Sequence, residues 1–210
     1  MKKVILIMAL ALGQLHVEAK DKTVKNVTKE KNETTTTWNV DGTHSNVKFS
    51  VSHLVVSTVE GYFKIFSGTV LSKSPDFNNA NIAFTVDVSS INTDNEQRDK
   101  HLKSDDFFNA EKYPKMSFTS TSFKKTKGNY YVLEGNLTIR DVTKKVKFAV
   151  VYGGTVKDPW GGTRAGFKAT TTISRQEYGL KWNKLTEAGG AVVGDEITIN
   201  LNVELTEQKM

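Results

Sequence analysis

The chain has 210 residues, no cysteine and a formal net charge of +6. Without cysteine, disulfides, thiolate metal sites and thiol catalysis are excluded, so stability rests on packing. Much of the basic excess lies before Trp38, and elsewhere lysines alternate with acids; a weak attraction to lipid headgroups is therefore a better expectation than nucleic-acid binding.

Residues 1–19 carry two lysines, then an apolar run from Val4 to Leu12, then Val17 and Ala19 at the small-residue positions. This order predicts a secretory signal peptide cleaved after Ala19. The run is too short to span a bilayer, which takes about 20 apolar residues, and it holds no cysteine for a lipoprotein anchor. A soluble, periplasmic or secreted protein is expected. Residues 20–37 are polar and charged, with too little apolar surface to offset the entropy of ordering, so they are expected to form a flexible linker. Residues 38–210 then form one domain, enough for a single core.

From Trp38 onward the pattern has period two. In the first run Val47, Phe49, Val51 and His53 share one face, while Lys48, Ser50 and Ser52 share the other. The alternation returns at Ile82, Phe84, Val86 and Val88, at Val146, Phe148, Val150 and Tyr152, and from Ile197 to Leu205. Such runs predict about eight strands, near 46–56, 59–71, 81–89, 116–123, 130–139, 144–153, 164–174 and 195–205. One segment reads as helix: Thr93 and Glu96 have capping-box spacing, and the helix is expected to reach about Phe108. The class is all-β with one short helical segment. The alternation itself fits a closed antiparallel barrel and a two-sheet sandwich equally.

Asp41, His44 and Ser45 are the residue types of a hydrolytic triad, but neighbours on a strand point to opposite faces and no Gly-x-Ser-x-Gly elbow exists. No catalytic residue is assigned, and Asp41 and Ser45 are expected to bond backbone groups in a polar turn. On the helix, Arg98 and His101 share a face beside Leu102. For these two and for Arg175, anchoring the fold and meeting a ligand headgroup are both open. His44, His53 and His101 lack paired metal-ligand spacing, so neither a metal nor a cofactor is expected. Trp160 and Trp182 lie in glycine-containing connections, where an indole suits either a lipid-contacting mouth or a plug.

Four blocks recur in order across residues 38–205: WNVDGTHSNVKFSVSHLVVSTVEGYFKIFSGTV, SSINTDNEQRDKHLKSDDFFNAEKYPKMSFTS, GNLTIRDVTKKV and ISRQEYGLKWN. Together they resemble the YceI family of periplasmic lipid-binding proteins. One departure is Arg140-Asp141, where a glycine is expected in the turn. The resemblance implies a lipocalin-like, eight-stranded antiparallel β-barrel with an elongated apolar cavity that binds polyisoprenoid chains, quinone-type lipids included. It makes Phe49, Val51, His53, Phe63, Phe84, Phe118, Leu137, Phe148, Phe167, Trp160 and Trp182 the candidate lipid contacts. Asp41, His44, Arg98, His101 and Arg175 are candidates for headgroup contact or structural support. The alternative for the inward aromatics is a filled barrel core. A carrier that releases its lipid unchanged, with transient membrane contact, is the expected function; a barrel enzyme acting on a lipid and a ligand-free interaction module are its rivals.

Overall fold

The structure, a computed structural model, describes residues 34–184 and 190–209. The expected signal peptide and the linker as far as residue 33 lie outside the described residues. The chain order is β1 (Thr36–Val40), β2 (Asn46–His53), β3 (Ser57–Phe63), β4 (Phe66–Ser72), β5 (Asn81–Asp87), β6 (Ile91–Asn92), α1 (Glu96–Lys103), β7 (Lys115–Lys125), β8 (Tyr130–Ile139), β9 (Val142–Lys157), β10 (Thr163–Ser174) and β11 (Val193–Glu207).

Eight strands close a ring of antiparallel neighbours, β1-β4-β5-β7-β8-β9-β10-β11, with β11 paired back onto β1. Closure leaves no free edge in the ring and puts every second side chain inside. The barrel is therefore the arrangement adopted, and the sandwich is not.

Two of the expected strands are broken, and a short strand precedes the first of them in the chain. Along one edge, β11 pairs first with β2 and then with β1, as in Asn202↔Asn46 and Leu205↔Val40. Strands β1 and β2 thus share one lane interrupted by a polar corner at residues 41–45, and Thr36 and Thr37 at the end of the expected linker already pair with Ser72 and Leu71. The expected strand 59–71 divides into β3 and β4 because its backbone turns aside to Ser90: Lys64 donates to the Ser90 carbonyl at 3.2 Å and Ile65 to the Ser90 hydroxyl at 3.0 Å. Ser90 belongs to a 3-10 turn, Val88–Ser90, that likewise ends β5 before β6 pairs with β3.

The helix is shorter than expected and differently capped. Asn95, not Thr93, accepts the N–H of Arg98 at 2.9 Å, and the helix ends at Lys103. Thr93 is instead buried, donating through both N–H and hydroxyl to the Asp99 carboxylate at 2.8 and 2.6 Å.

The antiparallel course gives the barrel two distinct ends. The roof comprises α1, the β8–β9 turn and the described residues of the β10–β11 connection, 175–184 and 190–192; the floor comprises the β4–β5 loop, the β7–β8 turn and the β9–β10 hairpin. Inside the wall, glycines make room for aromatic rings. Gly61 faces Phe49 across the β2–β3 ladder, and a Cβ there would lie 2.8 Å from the Thr93 methyl and overlap the Phe49 ring. Gly61→Ala is expected to lower stability by about 1–3 kcal/mol, the usual cost of overpacking, seen as a lower urea midpoint; an unchanged midpoint would contradict this packing.

Candidate functional site: an apolar lumen

The barrel encloses a cavity of about 150 Å³. Its wall is supplied by alternate residues of the ring strands, including Val70 of β4, Phe84 of β5, Met116 and Phe118 of β7, Leu137 of β8, Phe148 of β9, Phe167 and Ala169 of β10, and Ile199 to Leu205 on β11. Among the described residues, Thr69 and Ser117 contribute the only polar side chains of the lining, and no charged residue belongs to it. A space of this size with an almost wholly apolar wall favours apolar guests over water, because the wall offers water too few of the two to four partners it needs.

Five of the expected contacts are on this wall: Phe84, Phe118, Leu137, Phe148 and Phe167. Phe49, Val51, His53, Phe63, Trp160 and Trp182 are not. The first four belong to β2 and β3, which extend the wall toward the roof. There Phe49 packs on Phe63 at 5.7 Å between ring centres, and Phe63 on Phe108 at 6.1 Å, so the rings meet each other and not open space. The two tryptophans sit at opposite ends of β10. Trp182 closes the roof against His101 and Phe107, at 4.8 and 5.3 Å, whereas Trp160 in the floor hairpin is 83% exposed.

The polar candidates hold the ends in place. Arg175, 3% exposed, donates to the carbonyls of Leu180, Trp182, Val193 and Gly194 and so ties both arms of the β10–β11 connection together. Burial pushes its pKa down. Arg98 donates to the Thr93 hydroxyl and carbonyl at 2.8 and 2.7 Å, and His101 pairs with Asp106 at 2.8 Å. Arg140, in the turn where glycine is expected, does adopt a left-handed backbone, φ 56°. Its side chain reaches the Phe107 and Gly179 carbonyls at 3.0 and 3.3 Å, a clamp on the roof that glycine lacks. Tyr178, 1% exposed beneath the roof, has its hydroxyl pushed up to about 12 by burial.

Asp41, His44 and Glu204 converge closely enough to suggest a metal centre. The guanidinium of Arg164 already stands between the two carboxylates, 2.7 Å from Asp41 and 2.6 Å from Glu204, and also bonds Asp158 at 2.9 Å. This cluster braces the polar corner between β1 and β2 and takes no part in the lining. Sequence reasoning missed Arg164, because two of its three carboxylate partners, Asp41 and Glu204, lie 123 and 40 residues away.

The bond from His44, with those from the Thr43 N–H and Arg164, holds the Asp41 carboxyl well below the usual range; Arg164 does the same for Asp158. A depressed carboxyl adds stability that is complete above its unfolded pKa, about 3.9, and is lost as pH falls toward the folded value. Asp41→Asn is therefore expected to flatten the fall in urea midpoint between about pH 4 and pH 2. An unaltered slope would contradict the role of the cluster.

The profile describing the YceI-like domain matches residues 38–205. A UPF0312 protein of Staphylococcus aureus (strain USA300) is 36% identical over 172 residues, covering 81% of this chain and 98% of that protein. The crystal structure of a Campylobacter jejuni YceI protein superposes with a TM-score of 0.63 at 32% identity, over 75% of this chain and 90% of that one. The fold is shared also with a polyisoprenoid-binding domain from Saccharophagus degradans, at a TM-score of 0.60 and 15% identity over 80% and 97% of the two chains. Since the matched span runs from Trp38 in β1 to Leu205 in β11, and so takes in the closed ring and the lumen it encloses, the chain belongs to the YceI family.

Proposed function

We propose that the protein is an exported carrier that takes the chain of an isoprenoid or similar amphiphilic lipid into the barrel and releases the lipid unchanged. The observation that carries this reading is the lumen, enclosed by a complete ring and lined without a charged group. Transfer of apolar carbon out of water is worth about 0.8 kcal/mol per CH₂-sized group, so one isoprene unit contributes roughly 3–4 kcal/mol before ordering costs. A few units suffice for tight binding without an ionic contact. Membership of the YceI family and the polyisoprenoid-binding description of the Saccharophagus degradans domain favour a lipid of this class.

Binding is favoured over catalysis because the lining offers no acid, base or activated nucleophile; the hydroxyls of Thr69 and Ser117 have no titratable group beside them on the wall. The leader-like residues 1–19 favour export, where a lipid of negligible aqueous solubility needs a shuttle between membranes. Loading and delivery then require brief contact with a bilayer surface.

The test is to load delipidated protein with an all-trans prenyl alcohol, deliver it to acceptor vesicles and compare the recovered lipid with that supplied. Quantitative transfer of unaltered alcohol is expected. A chemically changed product would favour the enzyme reading, and no uptake would overturn the carrier.

A further inference from the structure

One of the three segments of the barrel floor, the β4–β5 loop, is held in an unfavourable backbone. Residues 73–80 join β4 to β5, and Phe77 at their centre turns inward until 1% of it is exposed. Phe77 and Asn79 both have left-handed backbones, with φ of 61° and 63°; asparagine adopts this region readily, whereas a phenylalanine occupies it only when its surroundings enforce it. The enforcement comes from the neighbouring strands. The Tyr131 hydroxyl donates to the Asp76 carbonyl at 2.5 Å, the Asn79 N–H donates to the Phe123 carbonyl at 2.8 Å, and the Lys125 N–H donates to the Asn78 side chain at 3.0 Å. Lys125 also pairs with the Asp76 carboxylate at 3.2 Å.

What this arrangement places is a single ring. Phe77 lies 5.0 Å from Trp38, 5.1 Å from Phe167 and 5.7 Å from Tyr152 between ring centres. Phe167 lines the lumen and Phe77 does not, so Phe77 forms the layer immediately behind the lumen's aromatic end. Trp38, Tyr152 and Phe167 stand on β1, β9 and β10, where the ladders fix them. Phe77 is the loop-borne member of the group, so its ring can be removed without altering a strand residue.

We infer that Phe77 is the stop that sets how long an apolar chain the barrel accepts. This rests on the reading of the lumen as a lipid site and adds the residue that selects among lipids by length. A phenyl ring is about the size of one isoprene unit, so deleting it makes room for about one more.

The test uses Phe77→Ala and Phe77→Leu with a series of all-trans prenyl alcohols of increasing length, bound to delipidated protein and scored by native mass spectrometry and competition. Thermal unfolding establishes that each variant is folded at the assay temperature, and Phe77→Leu carries the test if the alanine variant is not. In the wild type, affinity is expected to rise with each unit to a limit. Phe77→Ala should move that limit up by about one unit and tighten binding of the first excluded alcohol about tenfold or more, with Phe77→Leu between. Folded variants that keep the wild-type limit would overturn the stop. Binding by the variants and none by the wild type would uphold the stop and overturn the carrier reading, and folded proteins that all bind nothing would overturn both.

Discussion

Arg175→Ala is expected to cost about 3–5 kcal/mol of folding stability, the range found when a buried charged partner is removed from its acceptors. The guanidinium is 3% exposed and its bonds run to carbonyls on both sides of the β10–β11 connection, including Trp182 at 2.9 Å and Gly194 at 2.8 Å. Alanine leaves those oxygens turned toward a site with no donor. Lysine keeps the charge but loses the planar fork, so Arg175→Lys should recover only part of the loss. Trp182 reports on the same region, and its emission should shift toward longer wavelength in Arg175→Ala before global unfolding. A loss below about 1 kcal/mol, the size expected of an exposed interaction, would contradict a structural role for this arginine.

The largest effect on binding is expected at Ala169, the small residue on β10 that lines the lumen. Ala169→Trp aims an indole into a cavity of about 150 Å³, where the ring replaces the guest and buries apolar surface in its stead. Lipid affinity should fall by about a hundredfold or more with little change in stability, since filling a void avoids the usual overpacking cost. Phe84→Trp and Phe167→Trp should weaken binding in the same sense. Phe49→Trp provides the contrast: the Phe49 ring already fills the place of a side chain at Gly61, so enlargement should cost about 1–3 kcal/mol and leave binding intact. If Ala169→Trp binds lipid as the wild type does, the cavity is not the lipid site.

These two sites differ in how far the sequence discloses them. Alternation along 81–89, 116–123, 130–139, 144–153 and 164–174 is enough to put Phe84, Phe118, Leu137, Phe148 and Phe167 on one inner surface, because each strand stays in the ring. The same alternation cannot tell that β2 and β3 rise toward the roof, where Phe49 and Phe63 have identical periodicity and a different environment. The breaks at Lys64 and Ile65 are also silent, since they depend on Ser90, 25 residues away. Capping shows the limit at short range: Thr93 and Asn95 both suit a helix start, and the carboxylate of Asp99 decides between them by taking Thr93 for itself. Arg140 stands out in the sequence only as a departure from glycine in its turn, and its bonds to the Phe107 and Gly179 carbonyls, like those of Arg164 to Asp41 and Glu204, join residues that only the closed barrel brings near.

The measurement that tests the central claim most directly is native mass spectrometry of the protein purified from its own host under conditions that preserve noncovalent complexes. The carrier account predicts a population heavier than the apo chain by the mass of one isoprenoid-class lipid, absent from Ala169→Trp prepared in the same way. Protein that emerges at the apo mass, and that gains no mass on incubation with prenyl lipids, would contradict it.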